Sequence, residues 1–418
     1  MRVRIHRGAT EIGGSCVELE AGGSTLILDL GRPLWASRNE EIPLPPAVGL
    51  GAPGPKPLAL LLSHGHQDHW GLIPQLPSDV PIWTGEGAAD VLRAAEFFGS
   101  GIDLKEAGHL QNRTEIEFGP FTVTPYLADH SAFDAFSLLI EAGGRQLFYT
   151  GDFRGHGRKD QAFQWLLDQP PAGVHVLLME GTNIRRDSAS GESIESETDV
   201  EHALVETYKN TTGLVVVLAS AQNVDRLVTV YRAALRGDRD LAIDLYTAEI
   251  AAATRRETIP QVSPDWTRVF AYLPTRQRVK VKQAGAFDKV RNIRDRRIYD
   301  EELLTRPARW VLFGAFQSQI ASLIKQGALA DGAVVWSLWD GYLSDAGGKR
   351  LTKMLAEANV PLVHHHTSGH ASLADMRHLV EALNPDRLVP IHTEAPEQFA
   401  TAFQHPVELH ADGEWWDV

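Results

Sequence analysis

The chain has 418 residues, 43% of them hydrophobic and 22% charged, with a formal net charge of −14 at pH 7. That length exceeds one small core, so two domains are expected. The acidic balance excludes a generally basic nucleic-acid coat but leaves room for a local basic groove. Cys16 is the single cysteine, which excludes intramolecular disulfides and leaves His, Asp and Glu as donors for any metal site.

The start, Met1-Arg2-Val3-Arg4-Ile5-His6-Arg7, has no apolar region of a secretory signal, and no apolar run approaches bilayer-spanning length. A cytoplasmic protein without a membrane partner is the expectation. Residues 15–20 and 25–30 read as strands joined by the turn Ala21-Gly22-Gly23-Ser24. Asp29 ends the second run, where a carboxylate is costly unless paired; a turn acid is the plainer reading. Residues 33–57 are rich in Pro and Gly and read as an irregular loop that could flank a site.

The run 58–62 reads as a buried strand leading into Ser63-His64-Gly65-His66-Gln67-Asp68-His69-Trp70-Gly71. Such a loop can aim His64 and His66 at one point and Asp68 and His69 at a neighbouring one. Imidazole and carboxylate donors suit zinc, and also manganese or iron. A satisfied surface histidine cluster is the bland alternative. A short helix at 71–76, a strand at 81–83 and a helix at 88–98 follow. A strand over 121–126 leads into Ala128-Asp129-His130-Ser131, and one over 146–149 into Thr150-Gly151-Asp152. A run at 174–179 ends in Glu180-Gly181-Thr182.

Residues 185–193 read as a polar linker, and Ser196 with Asp199 as a capping pair. The strand at 214–218 is followed by Ser220-Ala221-Gln222-Asn223 and a helix, the unit of a doubly wound domain. Gln222 and Asn223 at that helix start could meet an anion such as phosphate, or merely cap the helix. Strands are expected at 310–313 and 333–338, with a helix opening at Ala315. Nine cations lie between Arg276 and Arg297, opposed by Asp288 and Asp295. They could track a phosphate backbone or form a solvated helix face. Near the end come a strand at 361–364, His366-Thr367-Ser368-Gly369-His370-Ala371, a helix over 375–383, and a strand over 387–391 ending in His392-Thr393-Glu394.

The H-x-H-x-D-H loop, the Asp-His and Thr-Gly-Asp strand ends, Glu180, the H-x-S-G-H-A segment and P-x-H-x-E resemble, in this order, the motifs of the β-CASP subgroup of the metallo-β-lactamase superfamily. Ribonuclease J and the cleavage-and-polyadenylation endonuclease are of that kind. The resemblance implies an αββα sandwich, residues 1–181 and 343–418, with an inserted α/β β-CASP domain at 182–342. It implies two divalent metal ions, zinc or alternatively manganese: His64, His66 and His130 on one, Asp68, His69 and His392 on the other, and Asp152 shared. Asp29 would support the metal loop. Asp68, His370 and Glu180 would be catalytic, with Glu180 orienting a ligand or His370. His366, Ser368 and the Gly369 N–H would hold phosphate oxygens. Thr393 stands where Gly is usual, and Gly181 where Ser is commoner.

The implied function is hydrolysis of nucleic-acid phosphodiesters, RNA favoured over DNA, by a metal-activated hydroxide in a cleft between the domains, with His370 as general acid. Exo- and endonuclease action are both open, and a homodimer is compatible. Two other classes are a small-molecule metallo-hydrolase of the superfamily, which would lack the insertion, and a non-catalytic scaffold subunit, which would lack ligands.

Overall fold

The computed structural model describes residues 1–37, 40–47, 49–185, 194–314 and 316–418. The expected linker beyond Arg185 and the expected helix start at Ala315 lie outside the described residues. Two compact units form: Met1–Ile194 with Gly369–Val418, and Glu195–Ser368. In chain order the strands are β1 (Arg2–Arg7), β2 (Cys16–Ala21), β3 (Ser24–Leu28), β4 (Leu60–Leu61), β5 (Ile82–Gly85), β6 (Gly108–Leu110), β7 (Ile116–Phe118), β8 (Phe121–Ala128), β9 (Ala135–Ala142), β10 (Arg145–Tyr149) and β11 (Val176–Glu180). Then come β12 (Val215–Leu218), β13 (Asp240–Ile243), β14 (Val269–Tyr272), β15 (Arg297–Ile298), β16 (Trp310–Gly314), β17 (Ala333–Trp336), β18 (Leu362–His364), β19 (Arg387–Ile391) and β20 (Trp415–Asp417).

The first unit holds two sheets, ordered β20-β1-β2-β3-β4-β5-β6 and β19-β11-β10-β9-β8-β7. Side-chain alternation explains why they face each other. Leu138, Ile140, Leu147, Tyr149, Val176 and Leu178 enter one cluster with Val17, Leu19, Leu26 and Leu28 of the other sheet. Their neighbours Leu139, Phe148, Leu177 and Met179 turn the opposite way. There they meet Phe163 and Leu166 of helix Asp160–Asp168 and Met376, Leu379 and Val380 of helix Leu373–Leu383. On the far side of the first sheet, Ile27, Leu60 and Leu62 pack on Ala89 and Leu92 of helix Glu86–Glu96. The layers are helix, sheet, sheet, helix: an αββα sandwich.

The second unit is a parallel sheet, β15-β14-β13-β16-β12-β17-β18. Its central strands are apolar on both faces, as a sheet covered on both sides requires: Val215, Val216 and Val217 are all fully buried. Helix Glu197–Asn210 opens with the expected capping box, Asp199 N–H donating to Ser196 Oγ (3.1 Å) and Ser196 N–H to Asp199 Oδ2 (2.8 Å).

The units divide elsewhere than at 182 and 342. Residues 343–368 pack in the second unit: β18 pairs in parallel with β17, and Leu351 and Leu355 of helix Ala346–Glu357 join its core. An amphipathic helix and a three-residue edge strand fit any sheet, so local pattern could not assign them. At the other crossing, Ile184 belongs to the sandwich core.

The parallel pairing of β3 and β4, Leu28 opposite Leu61, brings their carboxyl ends together. The loops beyond them are sewn back to back. Leu30 N–H donates to His69 O (2.7 Å), Ser15 N–H to Asp68 O (3.0 Å) and Arg32 N–H to Gln67 O (3.2 Å). Gly31 lies against this seam, and a Cβ there would run into the Asp68 carbonyl. Gly31→Ala should therefore displace the histidine loop and destabilise the protein by about 1–3 kcal/mol, the usual cost of overpacking. An unchanged thermal midpoint, followed by tryptophan fluorescence, would mean that the seam yields freely.

Candidate metal centre

The chemistry-bearing side chains of the first unit leave the carboxyl ends of its strands. His64, His66, Asp68 and His69 follow β4, and His130 follows β8. Asp152 follows β10, Glu180 ends β11 and His392 follows β19. Three groups arise whose candidate donor atoms lie within 4.8 Å of one another: His64, His66, His130 and Asp152; Asp68, His69 and His392; and Asp152, Glu180, His370 and His392. Asp152 is common to two of them. Its Oδ2 lies 3.5 Å from His64 Nε2, 3.3 Å from His69 Nε2 and 3.6 Å from His370 Nδ1, and its Oδ1 lies 3.8 Å from His392 Nδ1. His392 Nε2 lies 3.3 Å from Asp68 Oδ2.

These donors fit cations. His64 Nε2, His69 Nε2, His130 Nδ1 and both Asp152 oxygens are buried without a hydrogen-bond partner among the described residues. Buried polar atoms are otherwise nearly always satisfied, so a cluster of orphans aimed at one another is a metal site's signature. Protonation agrees. Burial holds His64 and His130 well below the usual imidazole range and His66 at about 4, the neutral ligating form. For Asp152, burial pushes the carboxyl up, but His392 and His69 outweigh it and hold it well below the carboxylate range.

Behind the donors stands Asp29, fully buried. Its carboxylate accepts from Ser63 N–H (2.7 Å), Ser63 Oγ (2.7 Å) and Tyr149 OH (2.7 Å), and lies 2.8 Å from His69 Nδ1. That contact leaves His69 Nε2 facing Asp152. Thr182 Oγ1 lies 2.8 Å from His392 Nδ1 and leaves His392 Nε2 facing Asp68. Sequence reasoning missed Tyr149, Thr182 and Asn183 as supports; their signal was only adjacency to Asp152 and Glu180. Asn183 Nδ2 donates to the His370 and Ala371 carbonyls (3.0 and 2.9 Å).

Glu180 finds its partner in His370, Oε1 to Nδ1 at 3.1 Å, while Thr182 N–H donates to Oε2 (3.0 Å). Burial lowers the His370 imidazole, but Glu180 and Asp152 overcome it and hold the group up at about 9. Gly369 is a close-approach position: a Cβ there would meet Ser131 Oγ at 2.6 Å and His130 Cε1 at 3.5 Å. His366, Ser368, Gln222 and Asn223 belong to the second unit. There Asn223 caps its helix, accepting from Arg226 N–H (2.9 Å), and Gln222 Nε2 donates to Tyr246 OH (2.7 Å). These local bonds use both side chains. His366 Nδ1 is buried with no partner among the described residues.

A beta-lactamase superfamily domain matches residues 33–229. Ribonuclease J 2 of Streptococcus pyogenes is 25% identical over 93% of this chain and 68% of its own length. Ribonuclease J of Corynebacterium glutamicum is 28% identical over 58% of this chain and 34% of its own length. The chain thus spans about two thirds of the first relative and a third of the second. A crystal structure of a protein of unknown function from Enterococcus faecalis V583 superposes with a TM-score of 0.77 at 20% identity, covering 99% of both chains. These matches support a β-CASP metallo-β-lactamase reading of the chain. They support a hydrolase, similar to proteins named as ribonucleases, and imply divalent metal ions. No helix among the described residues is long and apolar enough to cross a membrane.

If the chain takes two ions across Asp152, Asp152→Ala should lower occupancy at both, because one carboxylate faces both donor sets. Elemental analysis of the purified variant gives the ratio. Full occupancy would remove Asp152 from the bridge.

Proposed function

We propose that this protein is a metal-dependent ribonuclease that hydrolyses phosphodiester bonds, RNA in preference to DNA, as an exo- or endonuclease. The supporting observation is that six imidazoles and the carboxylates of Asp68, Asp152 and Glu180 form overlapping donor groups, with His370 fastened to Glu180. His64, His66 and His130 would hold one cation and Asp68, His69 and His392 a second, with Asp152 shared; zinc, or manganese, would supply Lewis acidity and a water of lowered pKa. Asp68 is the more open ligand carboxylate, its side chain 14% exposed against 1% for Asp152. It would accept a proton from the attacking water. His370, held protonated by Glu180 against burial, gives its proton to the leaving oxygen. The Gly369 N–H, beside it in the chain, holds a phosphate oxygen. For His366 and Ser368 the same role rests on the motif alone.

His370→Ala should keep its metals and lose about 10²–10⁴-fold in turnover of phosphodiesters. A substrate whose leaving group needs no proton should recover most of that loss. No recovery would make His370 a phosphate-binding group instead.

The choice of a polymer over a small ester draws on the second unit, and RNA on the relatives' names. Of the nine cations between Arg276 and Arg297, several have structural duties. Lys289 pairs with Glu249 (2.6 Å), Arg296 donates to the Val269, Trp266 and Thr267 carbonyls, and Arg297 lies 4.7 Å over the Tyr299 ring. Arg276, Arg278 and Lys282 on helix Thr275–Ala284, with Arg291 and Arg294, are exposed and have no carboxylate partner among the described residues. Neutralising these five should weaken oligonucleotide binding far more than cleavage of a small chromogenic diester. Each lost phosphate contact should flatten the log affinity–log salt plot by roughly 0.7. An unchanged slope would make the face a solvated one and favour a small-molecule substrate.

A further inference from the structure

Two adjacent large apolar side chains stand in solvent beside the candidate centre. Leu34 is 62% and Trp35 66% exposed. Their turn is registered to the metal loop rather than free of it. Pro33 bridges to Gly13, and the hydrogen bonds from Leu30, Ser15 and Arg32 fasten the neighbouring backbone to His69, Asp68 and Gln67. A Cβ at Gly13 would lie 2.8 Å from Leu34 Cγ and 3.0 Å from Asp68 Oδ2, so Leu34 and a candidate ligand carboxylate flank the same bare stretch of backbone. Trp35 is held at its edge: its indole N–H donates to Glu11 Oε2 (2.9 Å), and Glu11 Oε1 is 3.7 Å from Arg7 Nε. The ring is thereby oriented while its surface stays open. A single exposed apolar residue needs no explanation, but an oriented indole next to a leucine on the rim of a site does.

We propose that Trp35, edged by Leu34, is a stacking platform for a nucleobase of a single-stranded substrate, on a nucleotide neighbouring the scissile phosphate. This rests on the nuclease reading above. The occupant follows from position and chemistry. A strand whose phosphate lies at Asp68 must carry its bases past the rim at Gly13, and Leu34 and Trp35 are what that rim offers. Every base has a π face, so such a platform binds without choosing sequence. An apolar, ring-faced surface also adds affinity that phosphate contacts cannot supply. Trp35 is thus a substrate-positioning residue, acting on the strand and not on the reacting bond.

The test measures binding of a labelled, non-cleavable single-stranded phosphorothioate oligonucleotide to the metal-loaded full chain by fluorescence anisotropy. Trp35→Ala should weaken binding about 5- to 150-fold, the worth of one stacked base, and Trp35→Phe should restore most of it. In the wild type, an abasic nucleotide walked along the strand should reproduce that loss at one position, and the loss should vanish in Trp35→Ala. Equal affinity of wild type and Trp35→Ala, no measurable binding by the wild type, or no position-specific abasic penalty would each overturn the platform. Loss of metal from Trp35→Ala would also overturn it, by making the ring a brace for the histidine loop. The binding arm needs no turnover. Position-specific binding by a wild type that cleaves nothing would sustain the platform and sink the hydrolase reading.

Discussion

The Asp152 carboxylate is buried, and no described residue gives either oxygen a hydrogen bond. An isolated buried charge costs several kcal/mol, and such groups ordinarily neutralise or find a partner. Here the surroundings do neither by hydrogen bonding. Imidazole nitrogens of His64, His69, His370 and His392 stop 3.3 to 3.8 Å away. Such gaps are too wide for good hydrogen bonds and leave the carboxylate's charge to be answered by something else. Four strand ends, from β4, β8, β10 and β19, are held in place so that this one group can stay charged and uncapped.

The backbone shows how those ends are aimed. Asp29 and His392 have positive φ (57° and 54°), as does Gly151 next to Asp152 (52°). A left-handed residue at the end of a strand turns the chain off the sheet within one residue. For Asp and His that conformation is uncommon and persists only where surrounding bonds over-determine it. They do so here. Asp29 takes contacts from Ser63, Tyr149 and His69, and His392 is pinned by its N–H to the Gly8 carbonyl (2.7 Å) and by Thr182. The local strain and the hydrogen-bond hub coincide because the same residues both leave the sheet and fix the imidazoles.

Much of this was legible in the sequence because it is local. The offsets from His64 to His69 put four donors on one loop, and apolar runs ending in Asp-His, Thr-Gly-Asp and Glu announced strand ends. Long-range pairing was not legible. Glu180 could have served a ligand or His370, and only the folded backbone brings its carboxylate to 3.1 Å from His370. Tyr149 read as one more apolar strand residue, since alternation sends its ring into the sandwich core and conceals that its hydroxyl reaches Asp29. The edge strand β18 carried no mark of the sheet it would join. The five-residue run at 58–62 yields only a two-residue strand. Even so, Leu58 N–H donates to the Thr25 carbonyl (2.9 Å) and Leu62 N–H to that of Trp83 (2.8 Å), so its whole length is tied to neighbouring chain. The Pro- and Gly-rich loop gave no periodicity from which Trp35 could be placed.

The basic segment makes the same point in the opposite direction. Composition weighed its nine cations alike, but their backbone settings sort them. Arg296 reaches three carbonyls at the start of β14 and lies 4.7 Å over the Phe270 ring, replacing water around a chain turn with fixed donors. Lys289 answers an acid on helix Leu245–Ala253. Neither can leave its post for a ligand without exposing what it covers. Arg276, Arg278 and Lys282 on helix Thr275–Ala284 are exposed and meet no carboxylate among the described residues, the helix burying only Val281. In a chain of net charge −14, positive charge gathered on one solvent face makes a local field that an anion can share. Anions that bind many such charges at once gain most from the counterions released. That asymmetry, rather than the count of basic residues, is what supports the proposal of a polyanion over a single small ester.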